Sequence, residues 1–232
     1  SQKVRHLFDK NKNIAAYTAI DISREYLIES CAQLSRQYDN ISVSAICADY
    51  TKEFNLPKLP FPKARKVGYF PGSSIGNFLR EEAVEFLKRA GKLLGPNSQM
   101  LVGIDLKKDK EVLEAAYNDS QGVTAEFNLN ILQRAVKELG VSIDIGKFRH
   151  QSVYNQEIGR IETHILSTEV QSLDWRGKII NFDAGEKIHT ENSYKYSVEE
   201  VHALAYDGGY LVETSWLDKK SFFGVHLLAL KE

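Results

Sequence analysis

The chain has 232 residues, 43% hydrophobic and 26% charged, and its 30 basic and 31 acidic side chains leave a formal net charge of -1. That balance describes a globular protein and excludes the broad basic footprint of a nucleic-acid binder. No apolar run approaches the roughly 20 residues that cross a bilayer, and the opening SQKVRHLFDK is too charged for a secretory signal.

Two cysteines, Cys31 and Cys47, stand alone in what read as a helix and a strand. They are expected to be small buried hydrophobes in a reducing compartment, so a cytoplasmic protein is expected, with neither membrane nor nucleic-acid partner.

Residues 1–10 place Val4, Leu7 and Phe8 on one helical face behind a capping Ser1. Residues 14–23 read as a strand ending near Asp21, and 23–38 as an amphipathic helix capped by Ser23. A second strand over 41–50 again ends in an aspartate, Asp49, and KVGYF is a third. Then comes YFPGSSIGNF, 69–78, with Pro71, Gly72, Ser73, Ser74, Gly76 and Asn77 in one short loop, more than a plain turn needs. A helix over 79–94 stops at Gly95-Pro96, and a strand over 98–106 carries Asp105 near its end.

Strands alternating with helices predict parallel pairing in a covered sheet, where ligands bind beyond the carboxyl ends of the strands. Asp21, Asp49, Asp105 and the 69–78 loop share that address. After Lys108 the rhythm changes: 111–140 is mostly helical, and 148–167 alternates as a hairpin turning at 156–159. A further strand lies within 178–197, Ser197 caps a helix ended by Gly208-Gly209, and a hairpin turning at 218–221 closes the chain. The expected organisation is a sheet domain over 1–108 and 197–232, with an α+β substrate domain inserted over 109–196.

Asp21 suits vicinal ribose hydroxyls, since a carboxylate only accepts, and Asp49 suits an adenine amino group; capping the next element is the alternative for each. There is no GxxxxGK[ST] phosphate loop and no GxGxxG fingerprint, which an oxidoreductase reading would require. No histidine pair has zinc-ligand spacing and no GxSxG elbow exists, so no metal and no acyl-enzyme chemistry is expected. Glu191 and Ser193 share one face of a strand, where a carboxylate and a hydroxyl suit the ring N–H groups of an imidazole; a solvated face is the alternative. Tyr117, just before Gly122, either turns its phenol into a cleft or packs in a core.

The blocks YFPGSSIGNF, GIDLKKDKEVLEAAYNDSQGVTAEFNLNIL, RIETHIL and IHTENSYKYS resemble, in order and across essentially the whole chain, the histidine-specific S-adenosylmethionine-dependent methyltransferases. The resemblance implies an α/β fold, a Rossmann-like class I methyltransferase sheet whose first strand and glycine loop are missing from these residues. It implies S-adenosyl-L-methionine as cofactor and stepwise methylation of the histidine α-amine, the chemistry of ergothioneine biosynthesis. Lys3 matches a lysine near the cofactor's carboxylate, Asp21 the ribose-binding acid, Asp49 and Tyr50 the pair beside the adenine, and Gly72 a point of close backbone approach. Asn77 and Tyr117 match holders of the substrate carboxylate, and Glu191 with Ser193 the readers of the imidazole. Thr163 stands where a larger apolar residue is expected in the side-chain pocket. The alternatives are an N-methyltransferase of another aromatic amino acid, such as a tryptophan derivative, and a non-catalytic module that binds cofactor or amino acid.

Overall fold

Val4 and Phe8, one helical turn apart, are the buried positions of α1 (Gln2–Lys10). The computed structural model describes residues 2–57, 61 and 64–232, so the cap expected at Ser1 lies outside the described residues. The two side chains join Leu34, Tyr38 and Ile41, with Tyr17 and Tyr69 packed against them. The cluster thus ties α1 to β1 (Ala16–Asp21), α2 (Arg24–Gln37) and β3 (Val67–Phe70). Ser23 precedes α2 but makes no side-chain cap; its amide instead donates to Asp21 Oδ1 at 2.8 Å, so the aspartate, not the serine, organises this turn.

The predicted parallel sheet is present in two hydrogen-bonded pieces. β1 pairs in parallel with β2 (Ser42–Cys47). A four-stranded sheet runs β10-β11-β4-β3, with β4 (Gln99–Asp105), β10 (Tyr210–Leu217) and β11 (Phe223–Leu230). Only β3 and β4 are parallel in this piece; β11 runs antiparallel to both β4 and β10 because a tight hairpin delivers it. Cys47 corrects the expectation of burial: it is exposed on β2, whereas Cys31 is buried.

The main core lies between this sheet and the helices α3 (Arg80–Leu94) and α6 (Val198–Asp207), where Leu87, Val102, Ile104, Val201, Leu204 and Tyr210 are almost wholly buried. Each such aliphatic side chain contributes about 1.5–3 kcal/mol relative to exposure. The cap read at Ser197 is a full capping box with Glu200.

Between β4 and α6 the chain forms α4 (Lys110–Tyr117), α5 (Val123–Leu139) and five strands. A three-stranded antiparallel sheet joins β5 (Phe148–Asn155), β6 (Arg160–Ser167) and β9 (Lys187–Tyr194), the first two turning over 156–159 as the sequence predicts. Leu132, Phe148, Ile165 and Phe182 form its small core. A hairpin that the sequence reading lacked, β7 (Gln171–Trp175) and β8 (Lys178–Phe182), projects from it. Its turn residues Arg176 and Gly177 both have positive φ, 55° and 79°, the backbone of a type I′ turn. Among the described residues no helix is long and apolar enough to cross a membrane.

Candidate active site

The loop after β3 is pinned from both sides. Ser73 is left-handed, at φ 59°, its amide donates to the Gly103 carbonyl at 3.0 Å, and its Oγ accepts from the Asp105 amide at 2.9 Å. A Cβ on Gly103 would collide with the Pro71 carbonyl, which explains the glycine inside a strand. On the other side a Cβ on Gly76 would lie 2.6 Å from the Tyr194 carbonyl, so this glycine lets the loop seat against the backbone of β9. Asn77 completes the junction: its Nδ2 donates to Glu191 Oε1 at 3.0 Å.

The NDSQG segment that follows α4 fixes Tyr117. Asn118 clamps β5 with both ends of its amide, donating to the Ser152 carbonyl at 2.9 Å and accepting from the Ser152 amide at 3.0 Å. His150 Nε2 lies 2.8 Å from the Tyr117 carbonyl and so carries the proton, leaving Nδ1 to accept from Asn128 at 3.0 Å. Asp119 caps α5, accepting from the amides of Val123 and Thr124 at 2.9 Å each. The Thr124 hydroxyl and these amides hold its carboxyl down at about 2.

So held, the Tyr117 hydroxyl meets Ser193 Oγ at 2.8 Å. Under both lies Lys195, only 2% exposed. Its ammonium donates to Tyr117 Oη at 2.8 Å, to Ser193 Oγ at 2.8 Å and to Asp105 Oδ2 at 2.9 Å. Lys108 reaches the other Asp105 oxygen at 2.5 Å. A cavity of about 310 Å³ opens here, lined by Gly72, Ser73, Ser74, Asn77, Asp105, Tyr117, Glu191, Ser193 and Phe223. Its size is near the lower end of small-molecule sites, about 300–1,000 Å³.

The structure thus gathers Gly72, Asn77, Tyr117, Glu191 and Ser193 at one cavity. Thr163 sits directly across from Glu191 in the β6–β9 register, but it is 3% exposed, is not among the residues that line the cavity, and its hydroxyl meets Ser152 Oγ at 2.9 Å. Asp21 and Asp49 lie at and just past the ends of β1 and β2. The Thr51 hydroxyl and amide bond Asp49 Oδ1 and hold its carboxyl below the ordinary range. Burial raises the Tyr50 phenol, and the carboxylates of Asp21 and Asp49 raise it further. The Tyr50 ring packs edge-on against Phe70, immediately before the loop. Lys3 is exposed on α1.

A sequence profile described as histidine-specific methyltransferase, SAM-dependent, matches residues 1–230. The chain belongs to this family. It is 32% identical over 235 residues to a histidine N-alpha-methyltransferase of Mycolicibacterium smegmatis, covering 98% of this chain and 71% of that protein. It is 35% identical over 217 residues to ergothioneine biosynthesis protein 1 of Neurospora crassa, covering 92% of this chain and 24% of that protein. An L-tryptophan methyltransferase of Psilocybe serbica is 28% identical over 155 residues, covering 66% of this chain and 43% of that protein.

The chain is therefore an S-adenosylmethionine-dependent methyltransferase, and its side chains fit that cofactor. Asp21 and Asp49 each commit one oxygen to a neighbouring turn; Asp21 keeps its second as an acceptor for hydroxyl groups, and the second of Asp49 faces the exposed Lys52 ammonium at 3.5 Å. Beyond Gly72, only Ser74 Oγ, at 3.4 Å, lies near the position a Cβ would take, so a ligand meets bare backbone there. Sequence reading missed Lys195. In the alternation SYKYS it passes for an exposed strand lysine; the one signal was its place two residues after Ser193, on the same face as Glu191 and Ser193.

Proposed function

We propose that the chain methylates the α-amino group of L-histidine and carries it stepwise to the trimethylated betaine. The observation that carries this reading is the pairing within one cavity of Asn77 with Glu191 and of Tyr117 with Ser193. Glu191 is an acceptor on one wall and suits the ring N–H of an imidazole. Tyr117 and Asn77 carry donor groups suited to a carboxylate. An amino acid spanning these walls has its α-nitrogen between them, toward the Gly72 backbone.

S-adenosyl-L-methionine, when bound, supplies a methyl group on a sulfonium sulfur, open to in-line attack by a neutral amine. We assign its adenosine end to Asp21, Asp49 and Tyr50 and its approach to the substrate to Gly72. Residues 109–196 act in this reading as the substrate-binding lid. The protein's contribution is alignment of the amine lone pair and exclusion of water, effects large enough to dominate such a transfer. The amine is protonated in water at neutral pH and gives up one proton before each attack; the nitrogen–carbon bond forms as the carbon–sulfur bond breaks.

The test is to incubate the protein with S-adenosyl-L-methionine and an equimolar mixture of the twenty amino acids, following every mass. Histidine gaining three methyl groups is the expected result. Methylated tryptophan in its place would overturn the substrate assignment and keep the reaction class.

A further inference from the structure

Lys195 is a buried cation beneath the cavity residues Tyr117 and Ser193, and nothing in the methyl transfer itself calls for it. An ammonium has three N–H donors, and all three are committed, to Tyr117, Ser193 and Asp105. None is left for a substrate. A buried lysine so placed acts only through its partners.

The hydrogen count at those partners is restrictive. Tyr117 Oη and Ser193 Oγ each accept one bond from Lys195 and share one proton between them across 2.8 Å. If Ser193 donates to Tyr117, the phenol oxygen is saturated as an acceptor and its own O–H points outward. Ser193 then retains one lone pair. In that arrangement the couple offers a single donor at Tyr117 and a single acceptor at Ser193, the complement of a carboxylate oxygen at one and a ring N–H at the other.

Charge runs the same way. Asp105 carries one negative charge against the ammoniums of both Lys108 and Lys195, so the trio is net positive by one. Glu191, two residues before Ser193 on the same face of β9 and bonded to the neutral Asn77 amide, carries the opposite charge. A cavity polarised in this sense orients an amino acid with its carboxylate toward Tyr117 and its basic ring toward Glu191.

We propose that Lys195 is a positioning residue for substrate recognition: it locks the Tyr117–Ser193 hydroxyl couple and supplies the excess positive charge that selects the α-carboxylate. This rests on reading the cavity as the histidine site.

The test compares calorimetric binding of L-histidine and of histamine, which lacks the carboxylate, to the wild type and to Lys195→Met. The account expects the wild type to prefer histidine, and the variant to lose about 10- to 100-fold in histidine affinity with a markedly smaller loss for histamine, which keeps only the ring contact at Ser193. Adding Tyr117→Phe to Lys195→Met should cost less than twofold more, because both changes break one unit. Lys195→Gln, which keeps N–H donors without charge, should fall between wild type and Lys195→Met, and stands in if the methionine variant fails a thermal melt. Equal loss of both ligands from a folded variant would make Lys195 merely structural and overturn the proposal, as would fully additive losses. A wild type without preference for histidine would overturn the carboxylate assignment itself, whereas a preference that survives in both variants overturns Lys195 alone.

Discussion

Asp105 and Asp21 both end a strand, yet their carboxylates are held in opposite ways. Asp105 binds two ammoniums, and through Lys195 it is tied to Tyr117 on α4 and Ser193 on β9. The side chain of Asp21 accepts the amide of Ser23, two residues on, and Asp49 likewise serves its own local turn, with Thr51 and Lys52. The wall assigned to the substrate is cross-braced by residues from distant parts of the chain. The end assigned to the adenosine is a set of local turns, each held by residues next to it in sequence. Changes in the first region should therefore propagate between the loop and β9, and changes in the second should stay where they are made.

The sharpest way to break this contrast is Gly76→Ala. Its Cβ would lie 2.6 Å from the Tyr194 carbonyl, backbone that cannot swing aside. We expect a loss of about 3 kcal/mol in a denaturant melt, with histidine affinity falling as the loop leaves β9 and Asn77 loses Glu191. Unchanged stability and affinity would mean that the loop is not braced there. Glu191→Ala should come next, weakening histidine binding by about 2 kcal/mol through a lost charge-assisted bond and leaving cofactor affinity intact. An equal loss for both ligands in calorimetry would dissolve the distinction between the two regions. Smallest is Asp21→Ala, expected to weaken S-adenosyl-L-methionine binding by about 1 kcal/mol while the melt stays within about 0.5 kcal/mol. A large drop in stability would show that Asp21 is braced after all.

The same contrast explains what could be read from the sequence. Features built from near neighbours were legible: the 156–159 turn between β5 and β6, the Ser197–Glu200 capping box, and Asp21 and Asp49 at strand ends. The hairpin over 171–182 was missed because Arg176 occupies a left-handed turn position usually filled by asparagine or glycine. Cys47 reads as buried by type, but it faces outward from β2, whose recorded pairing is with β1 alone. Lys195 was invisible for a deeper reason. Its burial is set by Tyr117, 78 residues away, and by Asp105 on β4, partners that meet only once the sheet and the 109–196 region are folded together. Thr163 was expected in the side-chain pocket from the family resemblance, and its hydroxyl meets Ser152 Oγ at 2.9 Å.

The most direct measurement is a crystal structure of the protein with L-histidine and S-adenosyl-L-homocysteine. The account predicts the imidazole against Glu191 and Ser193, the carboxylate on Tyr117 and Asn77, and Lys195 still bonded to Tyr117, Ser193 and Asp105 without touching the ligand. Histidine bound outside this cavity, or reversed with its carboxylate toward Glu191, would contradict it.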